Sequence, residues 1–446
     1  MSESTLLWSA AALLVVVVVL PYLLRFRRRI HKDRERKQEA TRLGIDRPIA
    51  QFPYVDPLRC IGCAACVDAC PEGDVLGVVG GTAVVVNGLR CVGHAHCEEA
   101  CPVGAIEVGL GDLKSRQDVP LLDDDFQTTT PGIYVAGELG GLALVKNAVQ
   151  QGREAICKIA RRARETGGGE ADPSLLDVAI VGAGPAGLSA ALTAVTEGLT
   201  YAVIEKEESL GGSLLHYPRR KMVLTQPVEL PPWGRLNREE YQKEKLLELF
   251  ELLVTQSGLH IEFGASVTSI IRDNGVFTLR TSVGESRSRF VLLALGRRGS
   301  PRKLGVPGEE LPKVMYRLMD AESYRDQRIL VVGGGDSAAE AAIGLARQPS
   351  NEVTLSYRKE KLVRLKKKNL DTIEGLIAKG RIWPALSSNL VKIEPDKVLL
   401  RLNDDHIVEA ANDYVFIFAG GVPPFAFLRG LGIRFGGDPE ESGVTV

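Results

Sequence analysis

No cysteine follows Cys157 in this chain of 446 residues, and seven of the eight cysteines lie between positions 60 and 101. The long C-terminal stretch therefore has no thiol pair for ordinary dithiol exchange, which needs a thiolate nucleophile and a resolving thiol. Net charge is also missing: 55 Lys and Arg stand against 56 Asp and Glu. With no overall field, nucleic acid is excluded as a partner held by bulk charge, and any basic site must be local. The chain is too long for one ordinary core, so two or three domains are expected.

Charge is absent again from Leu6 to Leu24, nineteen apolar or small residues. That is enough to cross a hydrocarbon core about 30 Å thick at about 1.5 Å per residue. A cleaved signal peptide would carry a basic start and a shorter apolar run, whereas Met1 to Thr5 hold only Glu3. The run reads as a transmembrane anchor. Arg25, Arg27, Arg28, Arg29, Lys32, Arg34, Arg36 and Lys37 follow it, and the positive-inside rule places them, and everything after them, in the cytoplasm.

A cytosolic setting makes disulfides poor candidates for the cysteine cluster and metal ligation a better one. Cys60, Cys63, Cys66 and Cys70 precede Pro71, reproducing the C-x₂-C-x₂-C-x₃-C-P run of bacterial ferredoxins. Thirty-one residues on, Arg59-Cys-Ile-Gly-Cys recurs as Arg90-Cys-Val-Gly-His, and Asp68-Ala-Cys-Pro as Glu99-Ala-Cys-Pro. A zinc ribbon would need two cysteine pairs rather than two such runs. In two-cluster ferredoxins the fourth ligand of each cubane comes from the opposite motif. That resemblance implies Cys60, Cys63, Cys66 and Cys101 for one 4Fe-4S cluster, with Cys91, Cys97 and Cys70 for part of another. His94 stands where the second run should have its second cysteine. Three outcomes are open there: His94 as a ligand, a 3Fe-4S cluster, or a histidine that only hydrogen-bonds nearby. His96 reads as a surface residue, and Cys157 as a buried, inert thiol on a helix.

Leu176-Asp-Val-Ala-Ile-Val reads as a buried strand leading into Gly182-Ala-Gly184-Pro-Ala-Gly187 and an alanine-rich helix. Gly182 makes the tight turn, Gly184 lets a pyrophosphate reach the backbone, and Gly187 packs helix on strand. Glu205 ends the next strand, where a carboxylate accepts adenosine ribose hydroxyls. A second copy runs from Arg328 through Gly333, Gly335 and Ala338, with Val353-Thr-Leu-Ser as its following strand. Tyr357, Arg358 and Lys359 replace the strand-end acid, which favours the 2′-phosphate of NADPH over NADH.

Residues 174–446 resemble the low-molecular-weight thioredoxin reductase family, most closely its bacillithiol disulfide reductase-like and ferredoxin–NADP reductase-like branch. The likeness is carried by Gly211-Gly-Ser-Leu-Leu-His-Tyr-Pro, Leu292-Leu-Ala-Leu-Gly-Arg, Val332-Gly-Gly-Gly-Asp-Ser-Ala and Val353-Thr-Leu-Ser-Tyr-Arg. The family's terminal flavin motif is displaced upstream, as Thr128-Thr-Thr-Pro-Gly-Ile-Tyr-Val-Ala-Gly137-Glu138 followed by Lys146-Asn-Ala-Val-Gln-Gln-Gly. The resemblance implies a circular permutation, with Glu138 in place of the aspartate that bonds the flavin ribityl chain. Where classical members carry a C-x-x-C pair, this chain has Arg317-Leu-Met-Asp-Ala-Glu.

The expected fold is α/β, with two Rossmann-like three-layer domains for FAD and NADPH, a small α+β two-cluster ferredoxin domain and one transmembrane helix. The expected layout is an anchor over 5–24, a basic linker over 25–50, a ferredoxin-like domain over 51–111 and the permuted FAD piece over 112–166. An FAD-binding domain over 174–300, an NAD(P)H-binding domain over 301–414 and a return into the FAD domain over 415–446 complete it. The expected function is electron transfer between NADPH, FAD, two 4Fe-4S clusters and a membrane redox partner such as a cytochrome or quinone-linked complex, in a chain that could form a homodimer. A disulfide reductase and a non-catalytic redox or iron sensor are the rival readings.

Overall fold

The computed structural model describes residues 8, 13–14, 16–17, 20–45, 51–110, 117–141, 144–165, 172, 174–225, 227–230, 233–297, 299–403 and 405–438. Nine of the nineteen residues of the expected membrane span Leu6–Leu24 lie outside them, and among the described residues no helix is long and apolar enough to cross a membrane. The chain divides into two compact units, one of 1–111 with Leu362–Thr372 and one of 112–361 with 373–446.

In the first unit, strand Gln51–Val55 pairs antiparallel with Ile106–Leu110, and Leu76–Val79 with Thr82–Val85. The sequence repeat is also a backbone repeat. Gly62 and Gly93, Ala64 and Ala95, and Gly73 and Gly104 are left-handed in matched pairs, with φ of 67° and 78°, 66° and 66°, and 56° and 57°. A left-handed alanine costs roughly 1–2 kcal/mol, so the two Ala positions mark loops whose shape outranks local comfort. Each alanine caps a short helix, Ala65–Ala69 or His96–Glu99. The basic stretch is itself a helix, Leu20–Leu43. Its Asp33, 3% exposed, accepts hydrogen bonds from the Val78 amide at 2.9 Å and from Arg36 at 2.8 Å. The segment Leu362–Thr372 also packs here, with the Val363 carbonyl accepting from Asn87 Nδ2 at 3.2 Å.

The second unit holds two large sheets, beside a three-stranded antiparallel one over 389–411 and three two-stranded ones. In the larger, the strand order is Ile261–Glu262, Tyr201–Ile204, Leu175–Val181, Glu285–Leu293, Val276–Thr281, Val267–Asp273, and Ile133–Val135 also pairs parallel with Glu285–Leu293. Helix Val145–Glu165 packs on helix Pro185–Glu197 at a glycine: a Cβ on Gly152 would collide with the Ala186 carbonyl oxygen. The second sheet runs Val314–Met315, Tyr414–Ile417, Arg328–Val332, Glu352–Tyr357, Ile382–Leu386, all parallel. The chain then returns to the first sheet. Leu428, Ile433 and Phe435 share a buried cluster with Ile133 and Val135, and the Gly436 amide donates to the Val119 carbonyl at 3.0 Å.

One expectation is overturned. Cys157 is exposed, because the buried face of its helix is Val149, Gly152, Ile156, Ile159, Ala160 and Ala163. Position 157 lies about 100° away from Ile156 around the 3.6-residue turn.

Candidate functional site

A cavity of about 1010 Å³ opens at the C-terminal ends of the first sheet's strands, lined by Gly182, Gly184, Glu205, Gly212, Gly137 and Glu138 among others. Gly182 has φ +111°, a conformation that only glycine adopts freely. A Cβ on Gly187 would strike the Gly182 carbonyl oxygen, so the third glycine brings helix Pro185–Glu197 down onto the turn. Glu205 is 4% exposed and does more than await a ligand. Its carboxylate accepts from the amide of Ala183 inside the glycine turn at 2.6 Å and from the Glu207 amide at 2.9 Å. These bonds fix the turn that leads into helix Pro185–Glu197, whose N-terminus is the kind of site that binds a pyrophosphate.

Gly137 and Glu138 reach this cavity because strand Ile133–Val135 ends beside Leu293. The Gly137 amide donates to Gln151 Oε1 at 2.9 Å, tying the strand end to helix Val145–Glu165, whose first turn contributes Val145 and Ala148 to the cavity wall. Among the described residues no cysteine lines it. His216 does, with Nε2 3.2 Å from Glu207 Oε1 and Nδ1 2.8 Å from an Arg317 nitrogen. Sequence reading passed over both His216 and Arg317 as site residues.

At the second sheet, Gly333 (φ +145°) would set a Cβ 2.7 Å from the Phe418 carbonyl oxygen, and Gly335 caps helix Asp336–Ala346 with open space before it. Ala338 is fully buried against that turn. Arg358 and Lys359, both exposed, follow Glu352–Tyr357, which lies parallel to and beside Arg328–Val332. Glycine turn and cations therefore share one sheet edge.

In the first unit a small cavity is lined by Cys60, Cys63, Cys66 and Cys101 with Ile61, Ala83, Val103 and Ile106. Four thiols in an otherwise apolar hollow suit a cubane, whose sulfurs and irons need soft ligands and exclusion of water. Burial pushes the Cys66 thiol up to about 11, reinforced by Cys60, Cys63 and Cys101. Burial also opposes ionisation of Cys101, yet the amides of Ala105, Val103, Ile106 and Gly104 hold it below its ordinary value. Burial likewise pushes Cys97 up to about 11, here with Cys70 and Cys91 as its neighbours. The cysteines thus fall into two electrostatic groups. Metal loading must displace protons from both. Among the described residues no three His, Cys, Asp or Glu side chains converge on a single ion. His94 lies against Glu72, Nε2 to Oε1 3.3 Å, and stacks on His96 at 5.6 Å.

Residues 179–440 match the family model described as Pyridine nucleotide-disulphide oxidoreductase, and residues 52–102 the 4Fe-4S dicluster domain. Bacilliredoxin reductase Bdr of Bacillus subtilis is 28% identical over 260 residues, covering 57% of this chain and 80% of that protein. A Ferredoxin–NADP reductase of Acholeplasma laidlawii is 31% identical over 187 residues, covering 42% of this chain and only 55% of its own length. Among solved structures, Bacillithiol Disulfide Reductase Bdr from Staphylococcus aureus superposes with a TM-score of 0.55 at 26% identity, covering 60% of this chain and 83% of that one. The chain belongs to the pyridine nucleotide-disulphide oxidoreductase family, as an NAD(P)H-dependent FAD oxidoreductase that also carries a 4Fe-4S dicluster domain.

Proposed function

We propose that this protein is a membrane-anchored electron-transfer oxidoreductase passing electrons between NADPH, FAD, 4Fe-4S clusters and a redox partner held in the same membrane, with its bulk in the cytoplasm. The observation that carries the reading is the pairing of a dinucleotide cavity without cysteine and a separate hollow lined by four of them. Gly182, Gly184 and Glu205 would hold the pyrophosphate and ribose of FAD, with Gly137 and Glu138 on the ribityl side. Gly333, Gly335 and Ala338 would seat NADPH, and Arg358 and Lys359 would meet its 2′-phosphate. Cys60, Cys63, Cys66 and Cys101 would hold one cluster; Cys91, Cys97 and Cys70, with His94, the other. When bound, flavin supplies the conversion between two-electron hydride chemistry and one-electron transfer.

The anchor is supported by Trp8, Leu13, Leu14, Val16 and Val17, all exposed apolar side chains with no core to enter. Helix Leu20–Leu43, fixed to the cysteine-bearing unit by buried Asp33, starts within the expected span. That helix rises about 1.5 Å per residue, so clusters held in this unit would stay close to the membrane surface, suiting a cytochrome or quinone-linked acceptor. The circular permutation is supported by strand Ile133–Val135 and by the Gly436–Val119 hydrogen bond, which sets the segment that would precede the terminal motif in the family's usual order beside the displaced piece.

The test is anaerobic reduction of the protein by NADPH with electron paramagnetic resonance of the clusters. Reduced-cluster signals within the turnover time are expected; bleached flavin with clusters left oxidised sinks the path. A second reading, reduction of low-molecular-weight disulfides, is favoured by the names of the Bacillus and Staphylococcus relatives. Steady turnover of such disulfides by a variant stripped of its clusters would replace the first reading with the second.

A further inference from the structure

We propose that Glu72 is a positioning residue for the second cysteine site: it holds His94 in the tautomer carrying the proton on Nε2, so that the imidazole meets iron through Nδ1. The inference rests on the reading above that Cys70, Cys91 and Cys97 hold a cluster.

The internal repeat supplies the argument. Every ligand position of the first run has its counterpart 31 residues on, and the left-handed pairs Gly62/Gly93, Ala64/Ala95 and Gly73/Gly104 show that the two loops follow one backbone path. Cys63 lines the first cavity. His94, its counterpart, has the same flanking loop geometry beside Cys91 and Cys97. The same rule applied to Glu72 gives Val103, another residue lining the first cavity. Site one thus has cysteine and valine where site two has histidine and glutamate, and the two exchanged residues touch: His94 Nε2 lies 3.3 Å from Glu72 Oε1. Both are mostly buried, with side chains 15% and 14% exposed. A buried carboxylate in place of an apolar wall residue is costly without a partner, and the imidazole is that partner.

A carboxylate offers only acceptors, so the nitrogen facing it carries the hydrogen and the other ring nitrogen keeps its lone pair. Metal-ligating histidines almost always donate their other ring N–H to a carboxylate, a backbone carbonyl or water. Lys366, whose Nζ lies 4.0 Å from the same Glu72 oxygen, adds a cation beside the carboxylate.

The test uses the whole chain, reconstituted anaerobically with iron and sulfide, reduced, and examined by pulsed electron paramagnetic resonance with and without ¹⁵N-histidine. Wild type should show one histidine nitrogen coupled to a cluster, and His94→Cys should lose it. Glu72→Val, which copies the first site, should weaken or change that coupling and shift the same cluster's potential, while Glu72→Gln, which keeps an acceptor oxygen, should retain it. In a His94→Cys background, Glu72→Val should shift the potential less than it does beside His94, leaving only the direct effect of the carboxylate's charge on Cys70 and Cys91. A coupling unchanged by Glu72→Val, or full iron content without any coupling in wild type, overturns the proposal alone. If Glu72→Val fails to load the second cluster, Glu72→Gln decides: coupling kept supports the assignment, coupling lost overturns it. Only about four irons per chain in wild type, against roughly seven or eight for two clusters, would overturn the ligand reading beneath it as well.

Discussion

The two dinucleotide-binding halves start from one motif and solve opposite problems. Around Gly182, a Cβ at the third glycine, Gly187, has no room; around Gly333 the same position is Ala338, buried and accommodated. After the second strand the first half has Glu205, 4% exposed and bonded into the glycine turn, whereas the second has Arg358 and Lys359 out in solvent. The first half also borrows a strand and a helix from residues 133–165, while the second sheet is drawn from 314–417 alone. A resident cofactor is served by a closed frame and a buried acceptor. A cofactor that must come and go is served by an open turn and solvent-exposed cations.

The strongest way to break this contrast is to remove the borrowed pieces. A chain beginning at Asp172 should purify without flavin, and placing 117–165 after Asp438 should restore it, since Gly436 already touches Val119; flavin absorbance reads the outcome. Full flavin in the truncated chain would show that the first half is self-sufficient. Next in size, Gly187→Val should cost about 3 kcal/mol or more through overpacking, seen as lost flavin and a lower Tm.

Smaller effects separate the two cofactors. Glu205→Gln should weaken FAD by about 10- to 100-fold, the 1–3 kcal/mol expected when a buried acceptor is altered, without changing the ratio of KM values for NADPH and NADH. Arg358→Ala with Lys359→Ala should do the converse, raising KM for NADPH about 10-fold or more while sparing NADH and FAD content. Equal losses for both nucleotides would remove the case for the phosphate. Smallest of all, Ala338→Gly should lower stability by about 1 kcal/mol through helix propensity, read as a lower Tm.

What could be read from residues alone was whatever lay close together along the chain. The two glycine turns and the spacing of Cys60 to Cys70 are local signals, and the displaced Thr128–Glu138 motif was recognisable because it is contiguous. The contacts that complete the sites are long-range. Glu72 meets His94 across 22 residues, Asp33 meets Val78 across 45, and Val363 meets Asn87 across 276; no periodicity announces them. Glu72 could have been flagged by laying the two runs over each other, where an acid stands opposite Val103. Cys157 failed for a different reason: apolar neighbours at 156 and 159 suggest burial, but one residue of helical phase turns the thiol outward.

The inclusion of Leu362–Thr372 in the cysteine-bearing unit sets a clock on its manufacture. All seven clustered cysteines are made by residue 101, yet the last segment of their unit is complete only at residue 372, 271 residues later, roughly 14–54 s at 5–20 residues per second. For that interval the nascent chain exposes its thiols without Val363 to cap Asn87 or Lys366 to stand beside Glu72. Iron delivered early meets an unfinished pocket; iron delivered after residue 372 meets a finished one. Translation speed through the nucleotide-binding stretch therefore sets how long the seven cysteines exist without the segment that completes their unit.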